Sequence, residues 1–306
     1  IVPSTAKYLT FGGRYNTVIP AGKAAFSDAL NFDLQPLEKL AITINYTKAP
    51  AIPTVHMGSR TTSYILRGVS TPKTSFAKAF REDHWFNISA IDVYDLTAKS
   101  IAIIGNSITD GKNSTNNAQN RWPDILSEVL QKKQGVTDVG VLNLGIGNNR
   151  VTMKGGFGFM ARERFNRDIL SQRGVRAVVI FEGVNDIGAA AFGQSETVAN
   201  DLIYAYEEMI RKAKERNLRV FLGTITPFKG AGYYSIFHEA ARQTVNQWIR
   251  AQRGKVDGIL DFDELLRDPS DPARLQKQWQ SDWLHPNPEG YRAMGTYAAE
   301  VIAHTL

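Results

Sequence analysis

The chain has 306 residues, 43% hydrophobic and 22% charged, which is typical of a globular protein of one or two domains with a buried core. Its net charge of +6 is spread evenly, with an excess of three positive residues in each of 1–98 and 99–306, and this excludes the clustered basic face of a nucleic-acid-binding protein. There is no cysteine, which excludes disulfides, thiol nucleophiles and cysteine metal ligands, and no apolar stretch approaches the length of a membrane span.

The first 98 residues contain short β-like runs between glycine and proline turns, and no helical pattern of useful length. The runs are KYLTFGGRYNTVIPAG (7–22), ALNFDLQPLEKLAITINYT (29–47) and TTSYILRGVS (61–70). They predict a small β-sandwich-like domain over residues 1–98. Two roles stay open for this domain. It supports the following domain by packing against it, or one of its loops, such as 54–63, forms a wall of the active site.

From about residue 99 the pattern changes to strands alternating with helices, which predicts an α/β domain with a parallel sheet and helices on both faces. The predicted strands are SIAIIG, VGVLNLG, RAVVIFEG, RVFLGTITP and VDGILDFD, at 100–105, 139–145, 176–183, 219–227 and 256–263. Helical patterns lie at about 121–133, 159–171, 195–216, 236–253 and 288–304.

Small and polar residues follow four of these strands, at the edge where parallel sheets hold their sites. A P-loop is excluded at 105–113, because five residues rather than four separate its glycines and no serine or threonine follows its lysine. A dinucleotide fingerprint at 145–150 is disfavoured by arginine at the third glycine position. A metal site is disfavoured because His285 alone among five histidines has an acidic neighbour at a strand end.

The remaining hypothesis is a serine hydrolase, in which a base must take the proton of the Ser107 hydroxyl. His285 is the only convincing base, and Asp282, three residues earlier, can fold back onto its imidazole. Asn185 offers a side-chain amide to an oxyanion. Taken singly, His285 is typical of a surface loop and Asn185 of a turn, but their order in successive strand-end loops favours a hydrolase site.

The blocks GNSITDG (105–111), NLGIGNNR (143–150), GVND (183–186) and DWLHPN (282–287) make residues 99–306 resemble the SGNH, or GDSL-type, hydrolase superfamily. The segments RWPDIL and HPNPEGYRAM, with TFGG and VIPAG earlier, resemble the subgroup that has a β-rich N-terminal domain. The resemblance implies a flavodoxin-like sheet and favours a secreted or periplasmic location. Since members usually carry more sequence before this point, we expect the β-rich domain to be incomplete at its start. The lack of a G-x-S-x-G motif disfavours the α/β-hydrolase fold.

The resemblance also implies roles for individual residues. Ser107 is the expected nucleophile, His285 the general base and Asp282 the acid that orients it. The expected oxyanion donors are the Asn185 side chain and the backbone N–H groups of Ser107 and Asn148. Further expected substrate contacts are Asn106, Asp110, Gly147, Arg150 and Trp122. Neither a cofactor nor a metal is implied.

Two residues depart from the family pattern. Asn106 stands where members commonly have aspartate, which keeps the shape of the side chain and removes a negative charge. Asn148 stands where glycine is usual, and asparagine tolerates the positive φ that glycine would supply. We therefore expect the oxyanion site to survive, with Gly147 as the donor if the register is one residue off.

The substrate is expected to be a small-molecule or polysaccharide ester. The polar segment KNSTNNAQNRW (112–122) suits hydroxyl-rich substrates, with Trp122 as a stacking surface, and short acyl groups such as acetyl on a carbohydrate are the first hypothesis. A lysophospholipase or arylesterase is the alternative enzyme. Because of Asn106 and Asn148, a non-catalytic carbohydrate-binding protein on the same scaffold is a second alternative.

Overall fold

The computed structural model describes residues 2–68 and 75–305. The last two residues of the predicted β-like run at 61–70 lie outside this range. The chain divides into two compact units, one comprising Ile1–Ala51 and Tyr64–Arg81, the other Ile52–Ser63 and Glu82–Leu306. The larger unit thus includes parts of the predicted N-terminal domain, and a domain boundary at residue 98 stays a prediction.

A five-stranded parallel sheet forms the centre of the larger unit. Its strands are β5 (Lys99–Gly105), β6 (Val139–Gly145), β7 (Val175–Phe181), β8 (Arg219–Gly223) and β9 (Gly258–Leu260), and they lie in the order β6-β5-β7-β8-β9. All five predicted strands are therefore confirmed, and so is the α/β class. They form because apolar, largely β-branched runs are buried on both faces of a parallel sheet.

Helices cover both faces of this sheet. They are α1 (Ser107–Asp110), α2 (Trp122–Lys132), α3 (Ala161–Phe165), α4 (Val184–Gly188), α5 (Ser195–Glu215), α6 (Ile236–Arg250), α7 (Phe262–Leu266) and α8 (Pro288–Ala303). Side chains of α2 and α8 pack with one face of the central strands, and those of α3, α5 and α6 with the other. Alternate residues of β5 divide accordingly: Ile103 belongs to one core and Ile104 to the other.

The remaining helices and strands are short. The helix predicted at 159–171 is α3 followed by a π-helix at Asn166–Leu170, and single 3-10 turns lie at Pro3–Thr5 and Lys277–Trp279. Two-stranded sheets are formed by β1 (Val55–His56) with β4 (Trp85–Phe86), β2 (Ser63–Ile65) with β3 (Phe80–Glu82), and β10 (Arg267–Asp268) with β11 (Asp271–Leu275). The N-terminal part thus contains small antiparallel strand pairs such as β1–β4.

In the smaller unit, a turn is organised around the carboxylate of Asp28. It accepts hydrogen bonds from the Thr10 hydroxyl at 2.7 Å and from the backbone N–H groups of Gly12 and Gly13 at 2.9 and 2.8 Å. These bonds hold the pKa of Asp28 below its ordinary value, the Gly13 N–H contributing most.

No helix among residues 2–68 and 75–305 is both long and apolar enough to cross a membrane.

Candidate active site

The end of the central strand β5 places Ser107 at the start of α1. Asn106 caps this helix, its side-chain oxygen accepting the N–H of Ile108 at 3.0 Å. The chain turns tightly here, since a side chain on Gly105 would meet the Thr109 hydroxyl at 2.2 Å. Ser107 is therefore presented at the carboxyl edge of the sheet, in the loop region where sites of parallel sheets lie.

A continuous series of hydrogen bonds joins Ser107, His285 and Asp282. The hydroxyl oxygen of Ser107 lies 2.9 Å from His285 Nε2, across 178 positions of sequence. His285 Nδ1 lies 2.9 and 3.1 Å from the two carboxylate oxygens of Asp282. The same carboxylate accepts the His285 backbone N–H at 2.8 Å and the side-chain amide of Asn113 at 3.1 Å, so its position is fixed from two sides.

Burial and charge set the protonation of this pair. Burial lowers the pKa of His285 below its ordinary 6.5, although the hydrogen bond that its Nδ1–H donates to Asp282 acts in the opposite direction. Burial acts to raise the pKa of Asp282, but hydrogen bonds from the backbone and side chain of His285 outweigh it and leave that pKa below 3.8. At neutral pH the imidazole is neutral and the carboxylate charged, which is the state a general base requires.

The loop after β6 lies against the start of α1. The N–H of Ile146 donates to Gly105 O at 3.0 Å, and that of Gly147 donates to the Asp110 carboxylate, also at 3.0 Å. Because the Gly147 N–H is held by this bond, it does not serve as a free donor. Asn148 has a φ of +54°, the left-handed conformation that asparagine tolerates, and its N–H has no acceptor among the described residues.

Asn185 lies near the start of α4, on the loop after β7. Its side-chain nitrogen donates to Asn149 O at 2.8 Å, which uses one of the two N–H groups of the amide and leaves the second available. Its side-chain oxygen accepts the Tyr233 hydroxyl at 3.0 Å. The amide is 3% exposed and held at both ends, so its orientation is fixed.

Two further side chains, both buried, hold these loops in place by hydrogen bonds. The Asp186 carboxylate accepts the backbone N–H groups of Val151 and Thr152 at 2.9 Å each. Arg164, fully buried, donates to Gly105 O, Leu144 O and the Asn149 side chain at 2.9–3.1 Å. The ends of β5 and β6 are thereby tied to the loop that carries Asn148.

A buried polar pair lies beneath the serine. Asn106 is 1% exposed, and its side-chain nitrogen donates to the Glu182 carboxylate at 3.2 Å. Burial raises the pKa of Glu182 to about 8, partly offset by the charge of Arg164 at 3.6 Å. Asn106 therefore acts as a helix cap and a partner of Glu182 rather than as the exposed substrate contact predicted from sequence.

Two other expected substrate contacts also lie in the interior. Trp122 is 0% exposed, packs edge-on against Phe181 and Phe262, and donates its ring N–H to Thr109 at 3.3 Å. The stacking role predicted for Trp122 is therefore wrong, because this first residue of α2 faces the sheet. Asp110 is buried, and its carboxylate already accepts the Gly147 N–H.

Arg150 is placed by its own loop. Its guanidinium donates to Lys154 O at 2.8 Å, and its backbone oxygen accepts the N–H of Ala161 at 2.8 Å. These bonds hold the segment after Asn149, and no hydrogen bond joins Arg150 to Ser107 or His285 in the described part of the chain.

Several residues around the site have no signal in a single sequence. Tyr233 and Asn113 support Asn185 and Asp282 from remote positions, and His56 Nε2 lies 2.6 Å from the Asp110 carboxylate. Arg164 resembles any other charged residue of a helix. Glu182 had the clearest available signal, a carboxylate at the end of an apolar strand directly before GVND.

The described residues contain no cluster of three or more histidine, aspartate or glutamate side chains that could hold a metal ion. The residues brought together provide a hydroxyl, an imidazole, a carboxylate and amide donors, groups that in combination can perform acyl transfer.

The model of the GDSL-like lipase/acylhydrolase family matches residues 103–293, which is more than half of the chain. The chain belongs to this family. No curated protein sequence matches the chain.

Solved structures of low sequence identity share the fold. A GDSL-like lipase from Bacteroides thetaiotaomicron is 20% identical with a TM-score of 0.51, over 68% of this chain and 89% of its own. A lipase/acylhydrolase from Enterococcus faecalis is 20% identical with a TM-score of 0.51, over 67% and 96%. The acetyl xylan esterase AlAXEase is 23% identical with a TM-score of 0.51, over 68% and 99%.

Proposed function

We propose that this GDSL-family chain is a serine esterase that removes short acyl groups, acetyl above all, from carbohydrates. The observation that carries the proposal is the unbroken hydrogen-bonded series from the Ser107 hydroxyl through the His285 imidazole to the Asp282 carboxylate. A hydroxyl gains its nucleophilicity from a base at this distance, and the base is oriented by the third group.

In the proposed reaction, Ser107 Oγ attacks the ester carbonyl while His285 Nε2 takes its proton. The tetrahedral intermediate collapses, the ester C–O bond breaks, and the imidazolium returns the proton to the departing alcohol. Water then attacks the acyl-serine with the same base, and the acid is released with Ser107 regenerated. Asp282 stabilises the imidazolium in both halves.

Three donors are proposed to bind the oxyanion. The Asn185 amide has one N–H unused, and the backbone N–H groups of Ser107 and Asn148 have no acceptor among the described residues. The loops that carry them are joined by the Ile146–Gly105 and Asn185–Asn149 bonds. Preorganised donors of this kind stabilise negative charge without reorganisation during the reaction.

The surroundings of His285 and Asp282 support a carbohydrate substrate. Asn113 contacts Asp282 directly, and the segment that follows exposes hydroxyl and amide groups, with Thr115, Asn116 and Asn117 among them. Such side chains can donate to and accept from sugar hydroxyls. An acetyl xylan esterase with this fold is one precedent for the chemistry proposed.

A longer acyl chain is the second candidate, and two exposed aromatic side chains favour it. Phe157 and Phe159 are both more than half exposed. The Asn149 side chain donates hydrogen bonds to their backbone oxygens and so fixes the loop in which they lie. Apolar side chains in this position could accept an alkyl chain, as in a lysophospholipase.

Turnover of p-nitrophenyl acetate, butyrate and octanoate decides between these candidates. We expect kcat/KM to be highest for acetate, and a maximum at octanoate would overturn the acetyl assignment. Ser107→Ala should lower the acetate rate by about 10³-fold or more, whereas Ser270→Ala, on the exposed β10–β11 turn, should not change it. Wild-type-like turnover by Ser107→Ala would refute the esterase proposal.

A further inference from the structure

Segment 55–60, which precedes the strand-helix region in sequence, brings a further charged side chain near His285. The segment 55–60 belongs to the larger unit and lies against α1 and the loop that follows it. His56 contacts the Asp110 carboxylate, the Ser59 backbone oxygen accepts from Arg121 at 3.1 Å, and Arg60 O accepts the N–H of Asn117 at 2.8 Å. The fit is close, since a side chain on Gly58 would lie 1.9 Å from the Asp110 carboxylate.

Arg60 ends this anchored segment, and its positive charge forms no ion pair among the described residues. Its backbone has a φ of +51°, a conformation that non-glycine residues rarely adopt and that the surrounding bonds must hold. Its Nε is buried and has no hydrogen-bond partner, and no carboxylate pairs with its guanidinium among the described residues. A buried donor without a partner is costly unless something else satisfies it.

Lys112, whose backbone is bonded to Ser107, supplies a second positive charge. Its backbone N–H donates to Ser107 O at 2.9 Å and its backbone oxygen accepts the Tyr291 hydroxyl at 2.6 Å, so its position is fixed. Its exposed ammonium forms no ion pair within the described part of the chain. Arg60 and Lys112 both lie close enough to His285 for their charges to oppose its protonation.

Resting on the proposed esterase function, we propose that Arg60 and Lys112 bind a carboxylate on the alcohol part of the substrate, so that the natural substrates are acylated acidic sugars such as uronates. The imidazole protonates the leaving alcohol, and cations beside it therefore face that part of the ester. Two of the three proposed oxyanion donors, the Asn148 N–H and the Asn185 amide, lie in the loops after β6 and β7 rather than in the segments that carry Arg60 and Lys112. A guanidinium fork matches the geometry of a carboxylate, and that of Arg60 has no acidic partner of its own among residues 2–68 and 75–305.

The test compares acetate release from an acetylated methyl glucuronoside and from the matched methyl glucoside. We expect wild type to prefer the uronate by about 10-fold or more in kcat/KM, with the preference falling as salt is added. In Arg60→Gln and Lys112→Gln the ratio should fall several-fold towards 1. Arg253→Gln, in the α6–β9 turn at the opposite edge of the sheet, is the matched control and should keep the wild-type ratio.

Three outcomes would overturn the inference: equal kcat/KM for both esters in wild type, an equal loss on both esters in Arg60→Gln, or a higher kcat/KM for the matched 6-phosphate. If neither ester is hydrolysed, the proposed function fails, and calorimetric titration with methyl glucuronoside decides the inference separately. Binding that Arg60→Gln weakens would support it, and no saturable binding would contradict it.

Discussion

The state of His285 results from two opposed effects at one residue. Its side chain is 12% exposed, whereas that of Asp282 is 45% exposed, so the imidazole is desolvated while its partner remains in contact with water. Burial lowers the pKa of the imidazole and the carboxylate partly restores it. As the proposed base, His285 should consequently be active over the whole neutral range, and the acid limb of kcat/KM should lie below pH 6.5.

Asp282→Asn tests this balance. Without the carboxylate charge the pKa of His285 falls further, so the acid limb of kcat/KM should move to lower pH. The plateau should fall by about 10²-fold or more because the imidazolium loses its stabilising partner. A pH–rate profile on p-nitrophenyl acetate measures both effects, with Asp92→Asn in a surface ion pair as control. A limb that moves to higher pH would contradict the assignment.

Asn185 gives a second prediction at the residue scale. Asn185→Ala removes a fixed side-chain donor, and kcat should fall by about 10²-fold with little change in KM, because the interaction forms in the transition state. Tyr233→Phe leaves the amide in place but frees its oxygen, so its effect should be smaller. Steady-state kinetics of both variants measure the difference. Equal kcat values for Asn185→Ala and wild type would remove Asn185 from the proposed donors.

Residue types and spacing were sufficient to predict that Ser107, His285 and Asp282 belong to one site, because strand-end loops of a parallel sheet converge. The exposure of single side chains was not predictable in the same way. Trp122 was expected at the surface because polar residues precede it, yet it is the first apolar residue of α2 and turns inward. Asn106 likewise satisfies two buried groups, the neighbouring Ile108 N–H and the Glu182 carboxylate 76 positions away.

At the scale of elements, the loops of the site are held together by single shared side chains. Asp110 at the end of α1 accepts from Gly147 in the β6 loop and contacts His56 in the segment before the sheet. One carboxylate thereby links three separate parts of the larger unit. The serine-bearing turn and the Asn148 loop depend on it for their relative positions.

Asp110→Ala should therefore disturb both folding and rate. It leaves the Gly147 N–H without its acceptor, which costs about 1–3 kcal/mol in the free energy of unfolding, and kcat should fall because the Asn148 N–H loses its fixed position. Urea unfolding and p-nitrophenyl acetate kinetics measure the two effects. His56→Ala removes one contact and keeps the Gly147 bond, so its rate should fall less. A larger loss in His56→Ala than in Asp110→Ala would refute this explanation.

Element type was predictable wherever the apolar period was clear, and all five sheet strands follow it. The pattern at 159–171 indicated one helix, but the chain changes from α to π winding at residue 166, which apolar spacing alone does not reveal. The docking of segment 55–60 was also unpredictable in detail, because it depends on Gly58 and Arg60 meeting residues about 50 positions later.

At the scale of the whole larger unit, the acidic side chain of Glu182 is buried away from water. Glu182 follows β7 and is fully buried, with a carboxylate oxygen that lacks a hydrogen-bond partner among the described residues. Its pKa of about 8 means that the folded protein keeps a proton which the unfolded chain, with an ordinary value of 4.5, has already lost. The free energy of unfolding should thus fall as pH rises towards 8.

Glu182→Gln should remove this dependence. Between pH 5 and 8 the stability of wild type relative to the variant should decline, by at most about 1.4 kcal/mol per pH unit. Urea unfolding of both proteins at pH 5.5, 7.0 and 8.5 measures the difference, in which the shared titrating groups cancel. A difference that does not vary with pH would show that Glu182 is ionised in the folded protein.

The α/β architecture was predictable from strand-helix alternation, because each unit of that pattern must bury its apolar face against a common sheet. The arrangement of the first hundred residues was not, since short β-like runs fix neither pairing nor register. Segments 52–63 and 82–98 belong to the compact unit that contains the sheet, although their composition resembles that of the residues before them.

The most direct test of the central claim is reaction with a serine-directed fluorophosphonate, followed by peptide mass spectrometry. If Ser107 is activated by His285, one label per chain should appear on Ser107, and His285→Ala should label far more slowly. No label on the folded wild-type protein, or a label on another serine, would contradict the claim.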